Sequence, residues 1–276
     1  MIHALRTRTR GLLRRAQADV RSPAWDVTQY FVVMAALLWL VARGSSSLGY
    51  DWQWNRVPRY LFSLRDGFHA GPLLQGLFVT LQITIYAMAL SLAVGLMAMM
   101  LRRAPSRVGR FAATIYVGCI RNTPLLIQLY ILYFVFSPVL GLDAFVSAVL
   151  ALALFEGAYM AEIFRAGMES VPKGQWEAAY SLGMSTLATY RKVILPQAVR
   201  NVLPPLTNQA ISLVKDSALV ATISVFDMTM QGQAIVAETF MTFEIWFTIA
   251  AIYLVINLSL SVAVRAMEKR IRRSAT

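Results

Sequence analysis

Long runs of apolar residues alternate along the chain with short clusters of basic residues. Runs of this kind are typical of membrane helices, because a helix needs about 20 apolar residues to cross the hydrocarbon core. Six such helices are predicted, over residues 27–42, 73–101, 111–140, 144–164, 201–226 and 245–264. The pattern therefore predicts an all-α, polytopic membrane protein.

The composition supports this class. Hydrophobic residues make up 58% of the 276 positions and charged residues 14%, whereas a soluble domain is roughly 45–50% apolar and about 25% charged. Cys119 is the single cysteine, so no intramolecular disulfide is expected, and with His3 and His69 as the two histidines a zinc site is not expected either. The chain also lacks a G-x-x-x-x-G-K-[ST] sequence, so we expect no cofactor in it, ATP included.

The net charge of +12 could suggest a nucleic-acid partner. The basic residues instead cluster between the apolar runs, where they set membrane orientation. Of the 26 lysines and arginines, 20 fall in segments that six spans would place on one side, and 4 fall on the other. This bias predicts that both termini are cytoplasmic, that lipid surrounds the chain, and that nucleic acid is not a partner.

The first apolar run, 27–42, is short for a span, and a basic flank before such a run also resembles a signal peptide. An uncleaved anchor is favoured, because Trp39 lies late in the run and Arg43 follows it without a small-x-small cleavage site. The expected organisation is a basic segment (1–26), an extra helix with an outer loop (27–72), a membrane core (73–264) and a basic tail (265–276).

A polar stretch after the fourth run, 169–196, predicts two short helices. The first begins after Pro172 and ends at Gly183, a residue suited to the left-handed position after a helix. Ser185 or Thr186 is expected to cap the second, which should stop at Leu195 because Pro196 cannot continue it. Residues 173–196 would then form a compact projection, which we call the knob.

Small residues on the knob (Ala178, Ala179 and Gly183) would let a partner's backbone approach closely. Trp176, Tyr180 and Leu182 would supply apolar contact area. The alternative is an amphipathic loop lying on the inner leaflet, because Trp and Tyr favour that interface.

The spacing Glu177-Ala-Ala-x3-Gly183-x9-Val193-x-Leu195-Pro196 resembles the EAA motif of membrane subunits of ABC importers, with valine in place of the usual isoleucine at 193. In that family the motif forms a coupling helix that docks into a groove on the ATPase subunit. The resemblance implies that this contact involves Gly174, Glu177, Ala178, Ala179, Leu182 and Gly183.

The resemblance extends from Gly76 to the C-terminus, through the sequences at 76–82, 121–128, 158–167 and 212–219. Together they are similar to the polar amino-acid branch, which serves histidine, glutamine, glutamate and arginine uptake, although Asn122 stands where that branch often has glycine. The resemblance implies a type I permease core in a bacterial inner membrane. It also implies a periplasmic binding protein, a separate ATPase that holds ATP and magnesium, and a second, identical or homologous permease copy.

Ionisable and amide side chains within the predicted spans are costly, so each needs a partner or a cavity. The candidates for a substrate path are Arg121, Asn122, Thr123, Gln128, Glu156, Glu162, Asn208, Lys215 and Asp216. They combine the donors and acceptors that a zwitterionic amino acid requires. Structural alternatives stay open: an ion pair of Glu162 with Arg165, a simple kink at Pro124, and a self-satisfied loop at the break expected around Lys215 and Asp216.

Three other functions are alternatives to the permease. A secondary transporter or channel working without an ATPase would have no need of the knob. A membrane enzyme would need a catalytic set, and both histidines lie outside the predicted spans. A purely structural membrane subunit would leave the substrate path to partner permeases.

Overall fold

The computed structural model describes residues 23–47, 49–63 and 69–273, in two units divided between Trp52 and Gln53. In the first unit the described part is mainly helix α1 (Pro23–Ser47). This helix contains the predicted first run, but its apolar stretch, Val27–Leu37, is shorter than a membrane span. Most of the predicted basic segment 1–26 lies outside the described residues.

The second unit begins with a 3₁₀ turn (Trp54–Arg56), helix α2 (Pro58–Leu61) and a small antiparallel hairpin, β1 (Phe62–Ser63) and β2 (His69–Ala70). The helices that follow are α3 (Pro72–Arg103), α4 (Arg107–Arg121), α5 (Leu125–Tyr130), α6 (Ser137–Leu140), α7 (Ala144–Glu169), α8 (Lys173–Ser181), α9 (Thr186–Thr189), α10 (Leu195–Asp216), α11 (Met228–Thr239) and α12 (Thr242–Arg273). The predicted all-α class is confirmed, with this hairpin as the strand structure of the described residues.

Three helices are long and apolar enough to cross a membrane: α3, α7 and α12 over Thr242–Met267. They confirm the predicted spans at 73–101, 144–164 and 245–264. The predicted span 111–140 is helical but broken, because α4 and the stretch Leu125–Leu140 meet at 112°. Counted as one span, this bent pair gives a fourth.

The predicted fifth span, 201–226, corresponds to α10 followed by a 3₁₀ stretch, Ser217–Ile223. The break near Lys215 and Asp216 is therefore confirmed, but α10 does not reach the apolarity of the three long helices. The count of six spans and the cytoplasmic side of the termini stay predictions. Helix α11 was not predicted.

The core forms where α3 and α7 run side by side in the same direction. Gly95 of α3 lies against Gly157 and Met160 of α7, so closely that a Cβ atom on Gly95 would stand 2.7 Å from Met160 Cβ and 2.9 Å from the Gly157 carbonyl oxygen. Ser91 adds a hydrogen bond of 3.2 Å to the sulfur of Met160. Small residues at such crossings are typical of membrane helices, because close backbone approach maximises dispersion contacts.

Replacing Gly95 by alanine should lower the free energy of unfolding by about 1–3 kcal/mol, because the new methyl overlaps backbone and Cβ atoms that cannot move cheaply. Gly118 provides the matched control. It lies inside α4 with open space around it, so alanine there should be neutral or stabilising by up to about 1 kcal/mol. Thermal unfolding of both variants in detergent checks this, and equal melting temperatures would contradict the packing argument.

Candidate functional site

The knob begins with α8, which ends as predicted at a left-handed glycine. Gly183 has φ of +72°, its N–H donates to Tyr180 O at 2.9 Å, and the N–H of Met184 donates to Ala179 O at 3.1 Å. This pair of bonds satisfies carbonyls that the end of α8 would otherwise leave free. Of the two predicted caps for the next helix, Ser185 is the observed one, with its hydroxyl accepting from Ala188 N–H at 3.3 Å.

The predicted stop at Leu195 is wrong. Helix α9 continues through a π-helical turn, Tyr190–Ile194, into α10, with Pro196 near the start of α10. Across the π turn the N–H of Leu195 bonds to Tyr190 O, five residues back. The wider turn keeps the proline ring away from the carbonyl four residues earlier, so Pro196 is accommodated and the chain stays helical.

Of the residues predicted on the surface of the knob, Ala179 is buried and Trp176 is partly buried. Trp176 packs edge-on against Tyr190, with ring centroids 4.8 Å apart, and contacts a cluster built on Val171 and Ile194. Ala179 is 3% exposed. Trp176 and Ala179 therefore hold the knob together, and Val171 ties it to the end of α7.

The tip of the knob presents apolar side chains to the outside. The exposed fractions are 81% for Leu182 and 77% for Leu187, and Tyr180 is also exposed. Gly183 lies between the two leucines in sequence with open space around it. Gly174, Glu177 and Ala178 are exposed on α8. An exposed apolar tip of this kind is typical of a surface that another protein or a membrane covers.

Glu162 stands at the centre of an arginine cluster where α3, α4 and α7 meet. Its carboxylate forms a very short contact with Arg102 of α3 and accepts two hydrogen bonds, of 2.9 and 2.8 Å, from Arg165 of its own helix. Arg121 of α4 lies 4.0 Å away and stacks over the Tyr159 ring. The predicted alternative for Glu162, an ion pair with Arg165, is confirmed. The arginines around Glu162 come from three helices rather than from α7 alone.

The break at 121–124 satisfies its own backbone. The side-chain amide of Gln128 donates to Ile120 O at 2.8 Å and to Thr123 O at 3.1 Å, which are carbonyls near the break before Pro124. Asn122 donates to Gly118 O, and the Thr123 hydroxyl donates to Cys119 O. The amide and hydroxyl donors therefore satisfy the backbone carbonyls at the kink. Arg121 instead belongs to the cluster around Glu162.

Glu156 lies deeper in α7 and is fully buried. One carboxylate oxygen accepts a hydrogen bond from Gln209 of α10, and the other, Oε1, has no hydrogen-bond partner among the described residues. The Asp216 carboxyl is close enough to interact with it electrostatically. Asn208 and Lys215, the other candidates on α10, are exposed.

Sequence reasoning missed Arg102 and Gln209, the partners of the two glutamates. Arg102 belongs to the basic cluster that follows the second predicted span, and its pairing with Glu162 spans 60 residues of sequence. The parallel course of α3 and α7 could have revealed it, since both residues lie near the same end of these helices. Gln209, like Asn208, is an amide side chain within a predicted apolar stretch, so the same sequence signal could have identified it.

Comparison with known proteins places these features in a family. Residues 91–273 match the model of the family described as "Binding-protein-dependent transport system inner membrane component". The chain belongs to this family. Among its relatives, the glutamine transport system permease protein GlnP of Escherichia coli (strain K12) is 39% identical over 203 residues, which is 72% of this chain and 93% of GlnP. The L-cystine transport system permease protein TcyB of Bacillus subtilis (strain 168) is 37% identical over 229 residues, covering 82% of this chain and 94% of TcyB.

Solved structures agree with the sequence comparison. A crystal structure of an amino acid ABC transporter with histidines matches with a TM-score of 0.69 and 39% identity over 72% of this chain and 94% of that chain. The MetNI methionine ABC transporter, at 19% identity, shares the fold with a TM-score of 0.62, over 72% of this chain and 96% of that one.

This family member is therefore a multi-pass transport subunit of the bacterial inner membrane with the fold of ABC-importer permeases. The resemblance drawn from the knob and the four shared sequences is confirmed. The alternatives of a secondary transporter, a channel and a membrane enzyme have no counterpart among these relatives.

Replacing Glu162 by glutamine should destabilise this family member by about 1–3 kcal/mol, because the change removes the half-buried carboxylate that Arg102 and Arg165 share. The matched control is Glu169→Gln. Glu169 is exposed, and within the described part of the chain its ion pair is with Arg165, so its loss should cost less than about 1 kcal/mol. Thermal unfolding in detergent measures both, and a larger loss for the Glu169 variant would refute the central role of Glu162.

Proposed function

We propose that this chain is the permease subunit of an amino-acid ABC importer, and that a separate ATPase subunit docks on the tip of the knob. The observation that carries the proposal is the exposed apolar tip, Leu182 and Leu187 with Gly183 between them. The names of GlnP and TcyB, and the description of the solved amino acid ABC transporter with histidines, support amino acids as the cargo. ATP and magnesium would be held by the partner ATPase.

The packing of the knob supports its use as a lever. At one end it rests on Met168 and Val171 of the α7 end, and at the other it runs without interruption through the π turn into α10. A displacement of the tip is therefore passed to α7 and α10 together. These are the two helices that carry Glu156 and Gln209.

We infer that the substrate path runs past Glu156 and Asp216. Two adjacent carboxyl groups repel one another unless a proton or cation lies between them, and the ammonium group of an amino acid is such a cation. Asn208 and Lys215 are exposed on the same helix as Gln209 and add a donor amide and a positive charge. Arg121, Asn122, Thr123, Gln128 and Glu162 would contribute by shaping the wall at the kink.

The remaining partners follow from the family. A binding protein would deliver the amino acid from the outer side, and a second permease copy, identical or homologous, would complete the pore. Surface apolar side chains on α3 and α12, such as Phe78, Met97 and Val255, are available for contact with that copy or with lipid.

Replacing Gly183 by valine should uncouple ATP hydrolysis from uptake. The branched side chain disfavours the left-handed backbone at φ of +72°, at a cost of about 1–2 kcal/mol, and it adds bulk at the docking tip. We expect ATP-driven amino-acid uptake in proteoliposomes to fall at least tenfold, with membrane insertion unchanged.

Gly141→Val is the matched control. Gly141 has φ of +65° and open space around it, but it precedes the start of α7, at the other end of the bundle. The two variants should lose similar stability, and the Gly141 variant should keep its coupled uptake. Normal uptake by the Gly183 variant, or equal losses in both, would argue against docking at the tip.

Replacing Glu156 by glutamine tests the inferred path. The amide oxygen still accepts from Gln209, so the fold should persist, whereas the lost charge should reduce uptake about tenfold. Uptake by proteoliposomes containing the ATPase and the binding protein measures this, with ATP hydrolysis as a second readout. Glu238→Gln, the same change at an exposed position of α11 outside the inferred path, is the matched control and should leave uptake unchanged. Uptake at the normal rate with the Glu156 variant would remove this residue from the path.

A further inference from the structure

A basic cavity of about 280 Å³ lies between the end of α3, the start of α4 and the end of α7. Four arginines line it: Arg102, Arg103, Arg110 and Arg165. They share the lining with Thr114 and Glu169. The proposed transport role uses neither Arg103 nor Arg110.

Two of the four positive charges are compensated and two are not. Arg102 and Arg165 pair with Glu162, and Arg165 pairs with Glu169 as well. Arg103 has no hydrogen bond or ion pair with the described residues, and Arg110 donates one hydrogen bond, of 3.3 Å, to the carbonyl of Ala104. The cavity therefore carries a net positive charge of about two, suited to an anion with several oxygen acceptors, such as a phosphate group.

An apolar cavity of about 190 Å³ adjoins the basic one, and Met99 lines both. Its walls come from α3, α7 and α10 and include Leu96, Phe164, Met168 and Val199. The basic cavity also lies where the apolar run of α3 ends, which is the depth of lipid headgroups in a membrane-spanning helix. A free anion makes no use of an apolar groove beside its site, whereas an amphiphile does.

We propose that the two cavities together bind one anionic glycerophospholipid. Its phosphate group lies among the guanidinium groups of Arg103, Arg110 and Arg165, and one acyl chain passes Met99 into the apolar cavity. Basic pockets between membrane helices are a recognised setting for acidic headgroups. Because the site carries a net positive charge, it should bind an anionic lipid more tightly than a zwitterionic one.

Native mass spectrometry of the delipidated full-length protein tests this. Dioleoylphosphatidylglycerol and dioleoylphosphatidylcholine are added separately, and we expect one molecule of the former to be retained about tenfold more tightly. The variants Arg103→Gln and Arg110→Gln should each lower this retention about fivefold. Arg107→Gln is the matched control, because Arg107 is exposed at the start of α4, one turn before Arg110, but does not line the cavity. Its retention should equal that of the unaltered chain.

Two further probes separate a lipid from a free anion. Inorganic phosphate and deacylated glycerophosphoglycerol should displace the phosphatidylglycerol poorly, because neither fills the apolar cavity. Displacement by either at the concentration of the lipid itself would overturn the lipid assignment. Equal retention of the two lipids, or an equal loss with Arg107→Gln, would overturn the site. Melting temperatures without added lipid confirm that each variant is folded.

Discussion

The close approach of α3 and α7 at Gly95 and Gly157 determines the positions of the other groups in the bundle. Membrane helices have no hydrophobic force between them, so they associate through close packing and through polar contacts. Because the two helices touch along their length in the same direction, Arg102 arrives beside Glu162 one to two turns beyond the glycine contact. The glycine contact and the arginine cluster are thus two parts of one interface, the first apolar and the second charged.

Local features of the fold were predictable from the sequence because they depend on neighbouring residues. The three long spans follow from apolar runs, the kink follows from Pro124, and the end of α8 follows from Gly183. The same reasoning failed at Pro196, where a proline was expected to end a helix. A π turn accommodates that proline, and no single residue type predicts the change in hydrogen-bond register.

The site was less predictable because its contacts join distant parts of the chain. Glu156 and Glu162 were identified as costly groups needing partners, yet Gln209 and Arg102 lie 53 and 60 residues away in sequence. Trp176 is a further residue whose surroundings the sequence did not predict. Its size suggested a contact surface, but whether an aromatic ring points outward or inward depends on where Tyr190 lies after the chain has turned.

The π turn at Tyr190–Ile194 carries one more residue than an α-helix needs to cover the same rise. Each residue of an α-helix advances the direction of the side chains by about 100°. Five π-helical residues complete about the same rotation as four α-helical ones. Loss of a single position here would therefore leave Leu182 and Leu187 facing much as they do now, but it would place the Pro196 ring against the carbonyl four residues earlier. The number of residues between Gly183 and Pro196 thus decides whether the tip and α10 form one continuous helix or two segments joined at a break.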